Sequence, residues 1–298
     1  MQYKRLGHSD LEISRIGFGC MSLKAGNADT QQLLQQAVEA GINFFDTADL
    51  YEKGLNEERV GEALRPFRNM IILATKVGNQ WREDGSGWDW NPRKEYILAA
   101  VDKSLARLKT DYIDLYQLHG GTIEDRADET IEAFEILKDQ GKIRYYGISS
   151  IRPNVIRTYL QKSHITSVMM QYSLLDRRPE EEMLNLLKES GVGVLVRGTV
   201  AGGLLIDKEP VNYLQHSAET VKKAAAAMRE VSTNGRHPVQ SSICYALMHQ
   251  AVTSAVVGIR TREQLEEALA TIESPSLNED EFRHLQSVVP LIRYQEHR

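Results

Sequence analysis

Four polar side chains lie at the ends of apolar segments whose composition is typical of buried strands. They are an acid, a phenol, an amine and an imidazole, namely Asp46, Tyr51, Lys76 and His119. Asp46 and Tyr51 belong to one stretch, 43–51, whereas Lys76 and His119 each end a later apolar segment. Groups of these four types at the ends of three successive strands predict one proton-transfer site. Such a site can donate a proton to a carbonyl oxygen at neutral pH.

The chemistry of this set depends on how its members act on one another. A phenol alone is a poor acid or base at pH 7. A neighbouring ammonium favours the phenolate, and a carboxylate beside the lysine keeps that lysine charged and in place. A histidine can orient a substrate oxygen or share its proton. Each residue alone also has a structural explanation, since Asp46 could cap a turn, Lys76 could be a solvated strand end and His119 a half-buried histidine. Their common location favours the functional explanation.

Strand-like and helix-like segments alternate along the chain. The predicted strands are 15–20, 43–46, 71–76, 112–119, 143–149, 167–172, 193–197 and 255–259. The predicted helices are 29–40, 57–64, 92–108, 127–139, 153–162, 179–190, 217–231, 238–249, one from 262, and 278–289. Eight strand–helix units predict an α/β fold, a (β/α)8 barrel forming a single domain over 1–298. We also expect an N-terminal β-hairpin turning at 7–10 and extra C-terminal helices.

The main rival is a doubly wound parallel sheet. That fold usually has fewer strands and a Gly-x-Gly-x-x-Gly turn after its first strand. The stretch 17–22, Gly-Phe-Gly-Cys-Met-Ser, does not match this fingerprint. In a barrel, side chains at the carboxyl ends of the strands face the active site, which is where Asp46, Lys76 and His119 would lie.

The composition limits the class of protein. The chain has 298 residues and a formal net charge of −5, which gives no indication of a nucleic-acid or membrane partner. No apolar run approaches the ~20 residues that span a bilayer, and the first residues lack the apolar core of a signal peptide. Only Cys20 and Cys244 are present, too few for a disulfide framework. We therefore expect a cytoplasmic protein.

Several segments, in order and spacing, carry a resemblance to a known family. They are 16–21, 41–48, 74–76, 104–119, 141–149, 171–178 and 202–205. On these segments the chain resembles the aldo-keto reductases, bacterial NADPH-dependent members among them, over nearly its whole length. The resemblance implies reduction of an aldehyde or ketone, a small-molecule carbonyl substrate, by NADPH without a metal. It implies that Tyr51 is the general acid, that Lys76 assists it, that Asp46 anchors Lys76, and that His119 orients the carbonyl.

The resemblance also implies where NADPH or NADP+ would bind. Ser149 and Gln171 would hold the nicotinamide amide, and the loop 199–205 and the segment 258–268 would bind the phosphates. The full set of expected cofactor-binding residues is Gly19, Cys20, Met21, Asp46, Ser149, Gln171, Arg197, Gly198, Thr199, Ala201, Gly203, Leu204, Gly258, Arg260, Arg262, Gln264 and Glu267. Arg260 and Arg262 would meet the adenosine 2′-phosphate; their structural explanation is that they are solvated charges at a helix start.

Three positions depart from the family pattern. Arg197 stands where the family usually has an aromatic residue against the nicotinamide, Ala268 where it commonly has an asparagine, and Cys20 where it has a threonine. A planar guanidinium can stack on a ring, but a cation there disfavours the positively charged oxidised nicotinamide. We therefore predict that Arg197 biases the enzyme towards reduction.

The segment 79–90, expected to be a long loop, contains every tryptophan of the chain, Trp81, Trp88 and Trp90. Loops at this end of a barrel carry specificity, so these rings could form an apolar substrate wall. Alternatively, they pack the loop onto the rim of the barrel.

Other functions remain possible from the residues alone. An NADPH-binding redox sensor or accessory protein with little turnover would keep the same four residues. A Schiff-base enzyme would need a neutral Lys76, which the nearby Asp46 opposes. A metal hydrolase would need clustered histidines or carboxylates at the strand ends, and the sequence shows none there. We expect a monomer or a weak homo-oligomer.

Overall fold

The computed structural model describes residues 1–23, 29–233 and 235–298. The strands of this part of the chain are β1 (Tyr3–Arg5), β2 (Glu12–Ser14), β3 (Ile16–Gly19), β4 (Phe44–Asp46), β5 (Ile72–Val77), β6 (Asn79–Trp81), β7 (Trp88–Trp90), β8 (Ile113–Leu118), β9 (Ile143–Ser149), β10 (Ser167–Gln171), β11 (Gly193–Arg197) and β12 (Val252–Gly258). The α-helices are α1 (Thr30–Glu39), α2 (Leu55–Leu64), α3 (Lys94–Leu108), α4 (Ala127–Asp139), α5 (Pro153–Lys162), α6 (Met183–Glu189), α7 (Ala218–Val231), α8 (Pro238–Met248), α9 (Arg262–Ala270) and α10 (Glu279–Val288).

Eight parallel strands close into a barrel in the order β3, β4, β5, β8, β9, β10, β11, β12, with β12 paired to β3. Their apolar side chains pack on the helices in one continuous buried layer outside the barrel. The predicted (β/α)8 barrel is confirmed, and every predicted barrel strand overlaps an observed one. None of the helices described is both long and apolar enough to cross a bilayer.

The strand β12 begins at Val252, three residues earlier than predicted. The prediction missed this start because the next two residues, Thr253 and Ser254, are polar. Thr253 and Ser254 are buried, and the Ser254 hydroxyl donates a hydrogen bond to the Ser14 carbonyl at 2.8 Å. A buried hydroxyl with such a partner is compatible with a central strand.

The N-terminal hairpin closes one end of the barrel. Strands β1 and β2 pair antiparallel, and Leu6, Leu11 and Ile13 are buried among the side chains that fill the barrel interior. Gly7 has a φ of +54°, and a Cβ there would lie 2.4 Å from the Thr166 carbonyl oxygen, just before β10. The hairpin therefore covers the amino-terminal ends of the strands. The carboxyl-terminal ends are left for a site.

The expected loop 79–90 contains a small antiparallel hairpin of β6 and β7, with Asn79 opposite Trp90 and Trp81 opposite Trp88. Its turn includes Gly85, whose φ of +70° suits glycine. The expectation of a loop without regular structure was wrong. Cross-strand pairing of tryptophans is a known source of hairpin stability, and it orders this segment.

The predicted helix 179–190 is broken in the structure. A 3-10 turn over Arg178–Glu181 is followed by α6, and Glu182 between them has φ −159° and ψ −29°, outside the helical region. The carboxylate of Glu182 pairs with Arg157 of α5 at 2.5 Å. This contact with a neighbouring helix accompanies the break.

Candidate active site

Asp46, Lys76 and His119 meet because they belong to three neighbouring barrel strands. Asp46 ends β4, Lys76 is the last but one residue of β5, and His119 directly follows β8. The His119 amide donates to the Val77 carbonyl at 2.7 Å, so β8 and β5 stay in register up to the site. Tyr51 follows β4 by five residues and begins a short 3-10 turn, Tyr51–Gly54.

The ammonium of Lys76 is the centre of the site. Its side chain is 1 % exposed, and its Nζ lies 2.7 Å from Asp46 Oδ2. The same Nζ donates to the Thr47 carbonyl at 2.7 Å and to the Tyr51 hydroxyl at 3.2 Å. The ammonium has three N–H donors, and these three acceptors use all of them, so the buried charge is fully hydrogen-bonded. Lys76 thereby positions the Tyr51 hydroxyl.

The charge of Lys76 is maintained by its partners. Burial alone lowers the pKa of this amine, but the Asp46 carboxylate, supported by the Tyr51 oxygen, outweighs burial and raises the pKa of Lys76 above its usual value. The Gln117 amide donates to Asp46 Oδ1 at 3.3 Å and helps to hold the carboxylate. Nucleophilic attack by Lys76 requires the neutral amine, so this geometry disfavours a Schiff-base enzyme.

The turn that carries Tyr51 has an unusual backbone. Glu52, Lys53 and Gly54 have φ values of +48°, +57° and +89°, which is the left-handed region. A Cβ on Gly54 would lie 2.7 Å from Cδ and Nε of the Arg107 side chain. Arg107 itself pairs with the fully buried Glu57 at 2.6 Å. The turn is therefore fixed by packing on α3 rather than by local preference.

His119 contributes a neutral ring. It meets Tyr51 edge to face, with ring centroids 5.8 Å apart and planes at 85°. Burial lowers the pKa of His119 to about 3, and the positive charges of Lys76 and Arg197 add to the effect. Its Nδ1 is buried without a hydrogen-bond partner among the described residues. A neutral imidazole at this place can direct a substrate oxygen without carrying charge.

These groups open onto a cavity of about 770 Å³ at the carboxyl end of the barrel. All four catalytic candidates line it. The expected cofactor residues that also line it are Gly19, Met21, Asp46, Ser149, Arg197, Gly198 and Gly258. Met21 is 64 % exposed, whereas Cys20 is buried behind it, and burial raises the pKa of that thiol. The structure thus brings the predicted proton-transfer groups and part of the predicted cofactor set to one space.

The tryptophans divide into two roles. Trp88 and Trp90 line the cavity, and Trp90 Nε1 donates to Asp125 at 2.9 Å. A Cβ on Gly78 or Gly120 would lie 2.7 or 3.2 Å from the Trp90 ring, so these glycines make room for it. Trp81 is not among the residues that line this cavity.

Trp81 instead holds the hairpin against the segment that carries Tyr51. Its Nε1 donates to the Leu50 carbonyl at 3.0 Å, and the Lys53 ammonium lies 5.1 Å from the ring centre. The contacts of Trp81 match the packing alternative, whereas the substrate wall stays a prediction for Trp88 and Trp90, which line the cavity. The Gly85-Ser86-Gly87 turn and the Trp-Asp-Trp alternation at 88–90 are weak sequence signals of this hairpin, because three residues are too few for a clear period.

Gln171, one of the two residues expected at the nicotinamide amide, belongs to a short chain of hydrogen bonds. Gln171 ends β10, and its Nε2 donates to the Tyr213 hydroxyl at 2.8 Å. Arg197 ends β11, and its Nη1 donates to Gln171 Oε1 at 3.1 Å. Ser149 ends β9 with its side chain at the cavity wall. Amide, hydroxyl and guanidinium groups at these three strand ends can bind a carboxamide.

The expected phosphate-binding segments lie beside the cavity. Thr199 and Leu204 are buried, while Ala201 and Gly203 have φ values of +48° and +100° in the turn after β11. A Cβ on Gly202 would have no neighbour within 4 Å, so the backbone there is open to a ligand. This turn can present its amides to an anion.

The start of α9 forms the second expected phosphate site. Thr261 caps the helix by accepting from the Gln264 amide at 3.3 Å, and Gln264 Oε1 accepts from the Arg260 amide at 2.9 Å. Arg262 pairs with Glu266 at 2.8 Å on the exposed face. Arg260 and Arg262 both line a separate cavity of about 320 Å³. Glu267 is half-buried one turn further along. The amino-terminal end of α9 and the side chains of Arg260 and Arg262 are suited to binding a phosphate group.

Sequence reasoning missed the buried polar groups behind the site. Asn56 accepts from the Thr47 hydroxyl at 2.7 Å and donates to the Cys20 and Leu23 carbonyls at 2.9 and 3.1 Å. It links the segment after Asp46 to the turn that carries Met21. An asparagine one residue before Glu57 gives no local sign of this role, because its partners lie up to 36 positions away.

Comparison with known proteins agrees with the geometry. The model of the Aldo/keto reductase family matches residues 15–290. The oxidoreductase YqkF of Bacillus subtilis is 51 % identical over all of this chain and all of its own length. The NADH-specific methylglyoxal reductase of Escherichia coli is 33 % identical, with 73 % of each chain covered.

Among solved structures, the aldo-keto reductase AKR11C1 of Bacillus halodurans in its holo form superposes with a TM-score of 0.94 at 48 % identity, covering 100 % of this chain and 99 % of its own. The apo form of the same enzyme superposes with a TM-score of 0.86 at the same coverage. Fold, site and the extent of these matches lead to one conclusion. The chain belongs to the aldo/keto reductase family, and it is an oxidoreductase of that family.

Proposed function

We propose that this protein reduces the carbonyl group of a small aldehyde or ketone to an alcohol with NADPH, and that Tyr51 is the general acid. The observation that supports this most strongly is the Tyr51 hydroxyl lying 3.2 Å from the ammonium of Lys76, which is itself held 2.7 Å from Asp46. A buried lysine whose pKa is raised, and which is therefore charged at neutral pH, is what a phenol at hydrogen-bond distance needs to act as an acid.

The residues of the chain divide the work of proton transfer. The proton leaves the Tyr51 oxygen for the carbonyl oxygen of the substrate, and the Lys76 ammonium stabilises the phenolate left behind. Asp46 keeps Lys76 charged throughout. The neutral ring of His119, at the same cavity, orients the carbonyl oxygen towards Tyr51. When bound, NADPH supplies the hydride that the carbonyl carbon accepts.

The choice of NADPH rests on the cations near the expected phosphate site. Arg260 and Arg262 line one cavity at the start of α9, and a guanidinium pairs well with a phosphate. The exposed pair of Arg262 with Glu266 is weak and can be exchanged for a phosphate contact. The E. coli relative named for NADH makes NADH the necessary comparison in any assay.

The test is the loss of NADPH absorbance, and separately of NADH absorbance, with a panel of aromatic, aliphatic and dicarbonyl aldehydes. We expect turnover with NADPH, and a fall of about a hundredfold or more in kcat for Tyr51→Phe, because general-acid catalysis typically contributes 10²–10⁴. Tyr112→Phe is the matched control, since Tyr112 packs against Arg68 outside the cavity. It should keep wild-type kcat.

Two results would count against the proposal. Turnover that Tyr51→Phe leaves intact would remove Tyr51 from its role as acid. Tight NADPH binding with no turnover on any carbonyl would instead favour a redox sensor or accessory protein.

A further inference from the structure

A half-buried arginine with no counter-ion lines the cavity beside His119. Arg152 lies in the connection between β9 and α5, and its Nη1 donates to the Gly121 carbonyl in the loop after β8. Within the ranges the structure describes, no carboxylate lies at ion-pair distance from Arg152. By contrast, Arg157 on the following helix, α5, pairs with Glu182 at 2.5 Å. A guanidinium in this position is available to an anion.

The charges that line the cavity also favour binding of an anion. Among its described lining residues the only carboxylate is Asp46, which is bound to Lys76. Arg152 and Arg197 are thus two positive charges that no lining carboxylate neutralises. His119 stays neutral, so it does not compete with the arginines for an anionic group.

The two arginines lie on different sides of the cavity. Arg197 ends β11, beside the segments expected to bind cofactor phosphates, and it contacts Gln171. Arg152 follows β9, which pairs directly with β8, the strand that leads to His119. The strand β10 separates β9 from β11. Of the two arginines, Arg152 is therefore the nearer in the barrel order to the expected carbonyl position.

We propose that Arg152 determines specificity by binding a carboxylate on the substrate, so that the preferred substrates are aldehydes or ketones that carry a carboxylate group. This inference rests on the proposed reductase function. A guanidinium pairs with a carboxylate through two parallel hydrogen bonds. The Gly121 carbonyl holds Arg152 in place beforehand, which reduces the entropy lost on binding. The apolar walls of Trp90 and Ile151 limit competing water.

The experiment compares substrates that differ in charge and hardly in size. The meta and para carboxybenzaldehydes are measured against the corresponding formylbenzamides at saturating NADPH. The variants are Arg152→Gln, Arg152→Lys and, as matched control, Arg157→Gln. For wild type we expect kcat/KM to be about tenfold higher for the acid, the effect of a charge-assisted hydrogen bond. Arg152→Gln should abolish the preference, Arg152→Lys should keep part of it, and Arg157→Gln should keep all of it.

Two kinetic outcomes would overturn the inference. One is an acid-to-amide ratio that Arg152→Gln leaves unchanged. The other is an equal loss on both substrates with a raised KM for NADPH, which would place Arg152 on the cofactor. Thermal unfolding of each variant separates these results from misfolding.

If wild type reduces neither aldehyde, the proposed function fails separately, and binding decides the inference. Quenching of tryptophan fluorescence then compares the hydroxymethylbenzoates with the hydroxymethylbenzamides. Tighter binding of the acid that is lost in Arg152→Gln supports the inference, and equal affinities contradict it.

Discussion

At the scale of single residues, the central feature is that a fully buried lysine keeps its charge while the histidine beside it loses its own. Lys76 has a carboxylate at 2.7 Å, whereas no carboxylate of the described residues bonds to His119. Burial lowers the pKa of both side chains. The pKa of Lys76 is nevertheless raised, because only Lys76 has an acidic partner, whereas the pKa of His119 stays low. Lys76 is therefore a cation at the site, whereas the ring of His119 is neutral.

The state of His119 predicts a pH dependence of stability. Its pKa is about 3 in the folded protein and ordinary, about 6.5, in the unfolded chain. The unfolded state therefore binds a proton first as the pH falls, and stability from this group is lost between about pH 6.5 and 3. The expected slope is up to about 1.4 kcal/mol per pH unit.

Urea unfolding at several values between pH 4.5 and 6.5 measures that slope. His119→Asn should reduce the slope by the contribution of one titrating proton, up to about 1.4 kcal/mol per pH unit. His8→Asn, on the exposed turn of the N-terminal hairpin, is the control and should retain the wild-type slope. An identical slope in His119→Asn and wild type would show that the folded histidine binds its proton normally.

Arg197 predicts a bias between the two forms of the cofactor. A cation beside an oxidised nicotinamide disfavours that form, so Arg197→Tyr should tighten NADP+ binding relative to NADPH. Arg197 is exposed, and exposed charge pairs contribute at most about 1 kcal/mol, a change of about fivefold in the ratio of the two affinities. Fluorescence titration with both forms measures it. Arg283→Tyr on α10 is the control, and an unchanged ratio in Arg197→Tyr would sink the idea.

At the scale of elements, α2 links the Tyr51–Gly54 turn to the barrel. Its Glu57 accepts from the Thr75 hydroxyl at 2.6 Å, next to Lys76 on β5, and pairs with Arg107 of α3. The helix can approach α3 so closely because residue 61 is glycine. A Cβ on Gly61 would lie 2.5 Å from the Leu108 Cα, which is backbone.

Gly61→Ala should therefore force α2 and α3 apart. We expect a loss of about 2 kcal/mol or more in the free energy of unfolding, as for overpacked cores, together with a lower kcat. Urea unfolding measures the free energy of unfolding, and aldehyde turnover measures kcat. Glu58→Ala, an exposed position on the same helix, controls for helix propensity. If Gly61→Ala has the same free energy of unfolding as wild type, α2 and α3 move apart without loss of stability, which would contradict this prediction.

The sequence was informative where an element's pattern is local and less so where partners are distant. Asp46, Lys76 and His119 could be predicted because each ends an apolar strand. Gln117 could not, because its role depends on Asp46, 71 positions earlier. The Trp88–Trp90 strand was missed because three residues are too few for a clear period.

At the scale of the whole molecule, the two ends of the barrel have different tasks. The hairpin residues Leu6, Leu11 and Ile13 fill the amino-terminal end with apolar side chains, while polar groups gather at the carboxyl end. This division follows from strand direction alone, so the location of the site could be predicted before its geometry was known. Substrate specificity could not be predicted from the sequence. We assign it to Arg152, which lies in a connection whose contacts depend on the fold.

The most direct test of Tyr51 as general acid is a single-turnover measurement on Tyr51→Phe loaded with NADPH, with cofactor affinity determined in the same preparation. We expect an NADPH Kd close to that of wild type and a hydride-transfer rate lower by about a hundredfold or more. A rate near that of wild type, with NADPH bound as tightly, would contradict it.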